Sequence, residues 1–173
     1  MIAPLAISAL FLVCMIFDLR DHKVPLPLTL GALAGAGVYA LLCGLWSPVL
    51  LVASLTHVSD FQPREKRLYF AFVLAAFAAI FQPVHTLVCA ILLGVWLMWE
   101  FGQMGGADVK LIMAATLVLG TPLIIIPISL AGGVQGAIAL LRKQKEIPFV
   151  VSIFAGTVLF TLYPYAVQYL AQA

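Results

Sequence analysis

Two aspartates, Asp18 and Asp108, stand where a carboxylate needs a reason. Asp18 directly follows the apolar run "LFLVCMIF", and Asp108 lies in "GQMGGADVKL", just ahead of a second apolar run. An Asp at the centre of a bilayer costs about 2.5–3.5 kcal/mol on insertion scales, and less near the interface. Two facing carboxylates cannot both ionise easily. One keeps a proton while the other stays charged, so the pair titrates as a unit. Such a dyad can deprotonate a water and protonate a carbonyl oxygen or a leaving amine, without metal, serine or cysteine. A structural reading stands beside the catalytic one. Arg20 and Lys23 are close to Asp18 in sequence, Lys110 is close to Asp108, and an Asp ahead of a helix can act as its N-cap.

The elements that would position these residues follow from composition. The chain has 173 residues, of which 64% are hydrophobic and 9% charged. Its mean hydropathy is +1.15. Soluble domains carry about 25% charged residues, so the composition predicts an integral membrane protein. The net charge of +2 is too small to imply a nucleic-acid partner. The first apolar run has no basic stretch before it and no A-x-A-type site before Asp18, so it is expected to be a retained span.

All nine Lys and Arg residues fall in four islands: Asp18 to Lys23, Asp60 to Arg67, Glu100 to Lys110, and Arg142 to Glu146. The ends near Trp46, Gln82 and Gly120 carry none. By the positive-inside rule the islands are cytoplasmic and the bare turns outside. Two islands on one side must be joined by an even number of crossings. The expected segments are Ile2–Phe17, Leu26–Trp46, Pro48–Ser59, Leu68–Phe81, Val84–Trp99, two either side of a break at Thr121-Pro122, and Pro148–Leu170. Several are short against the ~20 residues of a full span. The fold class is therefore an all-α polytopic bundle of six to eight membrane segments, in one domain over 1–173. Pro48–Ser59 is expected to be re-entrant or strongly tilted. Continuous apolar runs argue against β-barrel strands. Gly31-x-x-x-Gly35 has the spacing that lets helices approach closely, here expected within the chain.

Other polar residues carry less. Cys14, Cys43 and Cys89 lie in apolar runs without a CxxC pair and read as small buried hydrophobes, with neither disulfide nor metal implied. His57, with Ser54 and Asp60, crowds one helix end without a nucleophile elbow. His22 reads as a solvated loop residue and His85 as a polar cap at an outer turn. Glu100, beside Trp96 and Trp99, reads as an interfacial anchor or a support for the dyad. The tryptophans read as an interface belt.

The flanking sequence adds a resemblance. "FDLRDHKVP", then "GGADVKL", then "KEIPFVVSIFAG" resemble, in order, three landmarks of the type IV prepilin peptidases, polytopic membrane aspartyl proteases that include the preflagellin peptidases. The first matches at Asp18, Arg20, Val24 and Pro25, with Leu26 in place of the family's Asn. The second matches the Gly-x-Gly-Asp motif over Gly105 to Leu111, with Ala107 in place of its second Gly. The third matches at Ile147, Pro148 and Phe149. The resemblance implies a membrane aspartic endopeptidase with Asp18 and Asp108 as catalytic dyad. It implies prepilin-like or preflagellin-like precursors as partners, in contact with membrane lipids, and an active site facing the cytoplasm. Gly105 and Gly106 would let backbone approach the substrate, with any strained turn resting on them since Ala107 avoids positive φ. Lys110 would tune Asp108 or hold a lipid phosphate, and Arg20 would support the site. No cofactor is expected, because the CxxC pairs of the larger, methylating members have no counterpart here. Two rival readings remain open: a small ion- or proton-coupled transporter using buried Asp residues, and a non-catalytic membrane assembly protein.

Overall fold

The computed structural model describes residues 2–21, 23–59, 63–143 and 148–172, with side chains for 3–21, 23–59, 63–143 and 148–164. His22, Asp60 and Ile147 lie outside the described residues. The described chain is all-α, without strands. Eight helices follow one another: α1 (Ile2–Asp21), α2 (Leu26–Leu42), α3 (Trp46–Val58), α4 (Arg64–Phe81), α5 (Thr86–Glu100), α6 (Gly106–Leu119), α7 (Ile125–Leu141) and α8 (Phe149–Gln172). Among the described residues, three stretches are long and apolar enough to cross a membrane: Ala3–Asp21, Pro83–Glu100 and Pro122–Leu141. Shorter apolar helices cover Leu26–Leu42, Trp46–Val58 and Phe149–Pro164. The protein is a helical membrane protein. The outward faces agree, since α4 alone exposes Phe72, Phe77, Ile80 and Phe81.

The centre of the bundle is α6. It packs against α1, α2, α3, α5 and α8, and residues 111–117 are buried without interruption. A helix that is apolar all round can be buried on every face. This explains how a 14-residue helix with Asp108 and Lys110 in its first turns takes the middle position. Helix α7 packs on α8, while α3, α4 and α5 pack together.

The breaks between helices are chemically specific. Helix α5 ends in a Schellman turn: Gly102 has φ 70°, its N–H donates to Trp99 O at 2.9 Å, and Gln103 N donates to Met98 O at 2.8 Å. Helix α2 ends the same way at Gly44, φ 84°, with Leu45 N to Ala40 O at 2.9 Å. Gly120, φ 61°, caps α6, and the hydroxyl of Thr121 then accepts from Leu123 N ahead of α7. The strained turn expected at Gly105 and Gly106 is not there: Gly105 has φ −67° and Gly106 opens the helix. Left-handed backbone in this stretch is needed three residues earlier, at Gly102, to reverse the chain out of α5.

Uncharged and charged turns collect at opposite ends. Gln82 accepts from Ser47 N and donates to Gly44 O at 2.7 Å, tying the α2–α3 and α4–α5 turns together. Leu45 meets Gly120, bringing the end of α6 to the same place. At the other end, the side chain of Glu100 is 5% exposed and pairs with Arg67 at 2.7 Å and Arg64 at 3.4 Å. Arg67 also donates to Ser59 O, and Trp96 Nε1 donates to the Ser59 hydroxyl. Glu100 thus joins α3, α4 and α5 through its two arginines.

Several expectations are corrected. Trp96 is 2% exposed and belongs to the core rather than to a surface belt. Cys43 is exposed at the end of α2, whereas Cys14 and Cys89 are buried. The Gly31–Gly35 pair does not bring helices together, since a Cβ added at either would meet nothing within 4 Å. The close approach is at Gly156, where an added Cβ would lie 2.6 Å from Ile128 Cα and N, fastening α8 to α7. His57 is exposed and sits alone at the end of α3 among the described residues. His85 is half-buried in a 3-10 turn.

These two kinds of glycine should respond differently. Gly156→Ala should lower the thermal midpoint in detergent, because overpacking against backbone costs about 1–3 kcal/mol. That exceeds the roughly 1 kcal/mol that Ala gains over Gly within a helix. Gly35→Ala should leave the midpoint unchanged or raise it. Equal midpoints for the two variants would contradict the α7–α8 packing.

Candidate active site

Asp108 is the third residue of α6, with Gly105 as N-cap. The expectation of Asp108 as an N-cap is therefore corrected. From the third position a carboxylate can reach back to the N-cap backbone N–H, the reciprocal half of a capping box. Asp108 does so, through a backbone hydrogen bond at Gly105. A Cβ built on Gly105 would lie 2.9 Å from Asp108 Oδ2. The glycine ahead of the aspartate is thus required for space rather than for a left-handed backbone.

Asp18 reaches the same place from α1, which packs against α6. It is half-buried, three residues before the helix end. Its carboxylate is close enough to act electrostatically on Asp108. Asp108 lies in the charged stretch ahead of the buried apolar run, outside the three long spans. Burial, and after it the charge of Asp18, push the Asp108 carboxyl up from an ordinary value near 3.8 to about 6, while the Gly105 hydrogen bond pulls the other way. The Asp108 carboxyl therefore keeps its proton to higher pH than an ordinary aspartate. Burial, which disfavours the charged form, and a like charge nearby act in the same sense.

The supporting residues divide. Gly105 shapes the Asp108 carboxyl. Gly106 faces elsewhere: an added Cβ would meet Trp99 Nε1 at 3.4 Å and Lys110 Nζ at 3.7 Å. Lys110 donates to Gly106 O at 3.2 Å, on its own helix. Two positions along a helix are about 200° apart around its axis, so Lys110 and Asp108 face opposite sides of α6. Among the described residues, Lys110 makes no ion pair with Asp108. Arg20 is exposed in the last turn of α1.

Sequence reasoning did not find the cavity that Asp108 faces. It has a volume of about 720 Å³ and lies between α5 and α7, with Asp108 and Gly105 at its polar end. Met98, Met104, Ile112 and Phe149 supply apolar walls, and Gln103 and Ser129 add polar atoms. Phe149, first residue of α8, packs onto Gly132: a Cβ there would lie 2.8 Å from the Phe149 ring. Gln135 of α7 fixes this corner by donating to Pro148 O at 2.9 Å and accepting from the Ser152 hydroxyl. The signal in the sequence was Gly132-Gly133 within an apolar helix: Gly132 seats the Phe149 ring, and both glycines line the cavity. Phe149 of the third landmark segment thus lines the same cavity as Gly105 and Asp108 of the second.

No family model, curated protein or solved structure matches the chain. The chemistry of the site therefore has to be read from its own geometry.

The raised Asp108 value has a consequence for stability. Its folded-state value lies above the ordinary one, so the native state binds its proton to higher pH than the unfolded chain. Stability therefore falls as pH rises from about 4 to about 6 and is level above. Asp108→Asn removes that loss. The variant should be more stable than wild type at neutral pH, by on the order of 1–3 kcal/mol, and the gap should close near pH 4. Unfolding followed by circular dichroism in detergent at the two pH values reads this. A less stable Asn variant at neutral pH would mean that the carboxylate is a structural anchor.

Proposed function

We propose that the protein is a membrane aspartic endopeptidase in which Asp18 and Asp108 activate water. Its substrates are type IV prepilin, preflagellin or pilin-like precursors, cleaved at the junction of a short basic leader and an apolar helix. The observation that carries this reading is the partly buried Asp108 carboxyl, raised by burial and by Asp18, at the polar end of an apolar cavity. Perturbed carboxyls in a cleft are what general acid–base chemistry needs near neutral pH. The three sequence landmarks support the same reading, since two carry the aspartates and the third lines the cavity.

In the proposed reaction the charged carboxylate of Asp18 takes a proton from a water held between the two groups. The water oxygen bonds to the scissile carbonyl carbon while protonated Asp108 gives its proton to the carbonyl oxygen. Collapse of the tetrahedral intermediate breaks the C–N bond. The leaving nitrogen takes the proton from Asp18, and a hydroxyl of the intermediate returns one to Asp108. The cavity would hold the apolar residues of the precursor beside the cleaved bond, with Met98, Met104 and Phe149 as adaptable walls. The positive-inside rule puts the charged end, and so the dyad, at the cytoplasmic face of the cell membrane. A basic leader would meet the carboxylates there.

The test is processing of a co-expressed prepilin-like precursor, followed as leader loss on a gel. Wild type should shorten the precursor, and Asp18→Asn and Asp108→Asn should each reduce processing by at least about a hundredfold, as expected when a general acid or base is removed. Normal processing by both variants would end the dyad reading. If proton or cation flux depended on Asp108 and no precursor were shortened, a transporter would take its place.

A further inference from the structure

A second pocket lies on the side of α6 that Asp108 does not face. Its volume is about 200 Å³, and Lys110, Trp99 and Gly106 line its charged end. Leu33, Val52 and Thr56 line it further along, and the same three residues line a neighbouring cavity of about 320 Å³. The two cavities adjoin along these three residues, and together they outline a groove. Its walls are the faces of α2 (Leu33, Gly37, Leu41) and α3 (Val49, Val52, Thr56). Its floor is α6, from Gly106 through Met113 to Leu117. Eleven positions along a helix measure about 16 Å, so the groove runs well into the apolar part of the bundle.

The two ends differ in chemistry. At the charged end the polar groups are donors. The ammonium of Lys110 uses one N–H on Gly106 O at 3.2 Å, leaving two others. Glu100 pairs with Arg64 and Arg67 rather than with Lys110. The indole N–H of Trp99 converges on the same spot: a Cβ on Gly106 would meet both groups within 3.7 Å. Absence of that Cβ keeps the spot open. The hydroxyls of Thr56 and Ser59 donate to backbone carbonyls, and that of Ser59 also accepts from Trp96 Nε1. Beyond Thr56 the lining is aliphatic.

A cationic, donor-rich mouth on an apolar groove matches one molecule of the membrane itself. We propose that the α2–α3 groove binds an anionic glycerophospholipid, with its phosphate on Lys110 and Trp99 and one acyl chain along α6 toward Leu117. The site is separate from the Asp108 cavity and does not depend on the peptidase reading. It uses Lys110 as a point charge for phosphate, a role that ammonium groups fill well.

The test is native mass spectrometry of the full chain released from detergent micelles after incubation with phosphatidylglycerol. Wild type should retain one phosphatidylglycerol per chain and bind phosphatidylcholine at least about tenfold more weakly, the scale of one charge-assisted contact. Lys110→Gln should lose about tenfold in retained lipid, and Lys110→Arg should restore it. Ala34→Phe, which fills the groove from α2, should lose the lipid while Lys110 remains. Each variant is checked for wild-type elution on size exclusion, so loss of lipid is distinguished from loss of fold. Retention unchanged in both Lys110→Gln and Ala34→Phe would overturn the proposal. So would equal binding of phosphatidylcholine, or displacement by deacylated glycerophosphoglycerol or inorganic phosphate at the same concentration. Those last results would describe a free-phosphate site without an acyl groove.

Discussion

A partly buried carboxyl group in the first turn of the central helix is the constraint on which the other features of this protein depend. Burying a charge without compensation is costly, and the usual relief is to hold the group neutral. Asp108 has that relief twice over, from burial and from the charge of Asp18. Its place cannot drift, because α6 is held on five sides and buried along residues 111–117. The turn before it is equally determined. Gly102 reverses the chain out of α5, and Gly105 leaves the space that the carboxyl fills. A perturbed acid, a fixed helix and an open cavity meet at one point.

The rest of the bundle keeps that point at the charged end. Gln82 gathers the bare turns at one end with two hydrogen bonds, and Glu100 gathers α3, α4 and α5 at the other through Arg64 and Arg67. A buried ion pair is weak evidence for net stability, but losing one partner leaves uncompensated charge. Glu100 therefore fixes the geometry of helix ends that lie behind the site rather than acting within it. The two faces of α6 are used separately, with Asp108 toward the α5–α7 cavity and Lys110 toward the α2–α3 groove.

Much of the architecture was legible in the sequence because hydropathy and charge position are coarse, long-range signals. The apolar runs named all eight helices, and the islands separated the two kinds of turn. Boundaries slipped where a helix continues past its apolar run: α1 extends to Asp21, and α4 begins at Arg64 because its first turn is held by pairing with Glu100. What failed needed three-dimensional neighbours. Gly31 and Gly35 have the spacing for close packing but face a gap, whereas Gly156, outside any such pattern, touches backbone. Trp96 has the composition of an interface residue but is buried in the core, its N–H donating to the half-buried hydroxyl of Ser59. The nearness of Asp18 and Asp108 followed from topology, and the cavity lined by Asp108 and Phe149 did not.

The coupled pair is tested most directly by the pH dependence of leader cleavage. The purified chain is reconstituted in phospholipid vesicles and given a synthetic precursor peptide. One charged and one protonated aspartate give a rate that falls on both sides of an optimum. The alkaline limb should have its midpoint near the value of about 6 at which Asp108 loses its proton. A cleavage rate that stays level from about pH 5 to about pH 8 would contradict the pair as the source of catalysis.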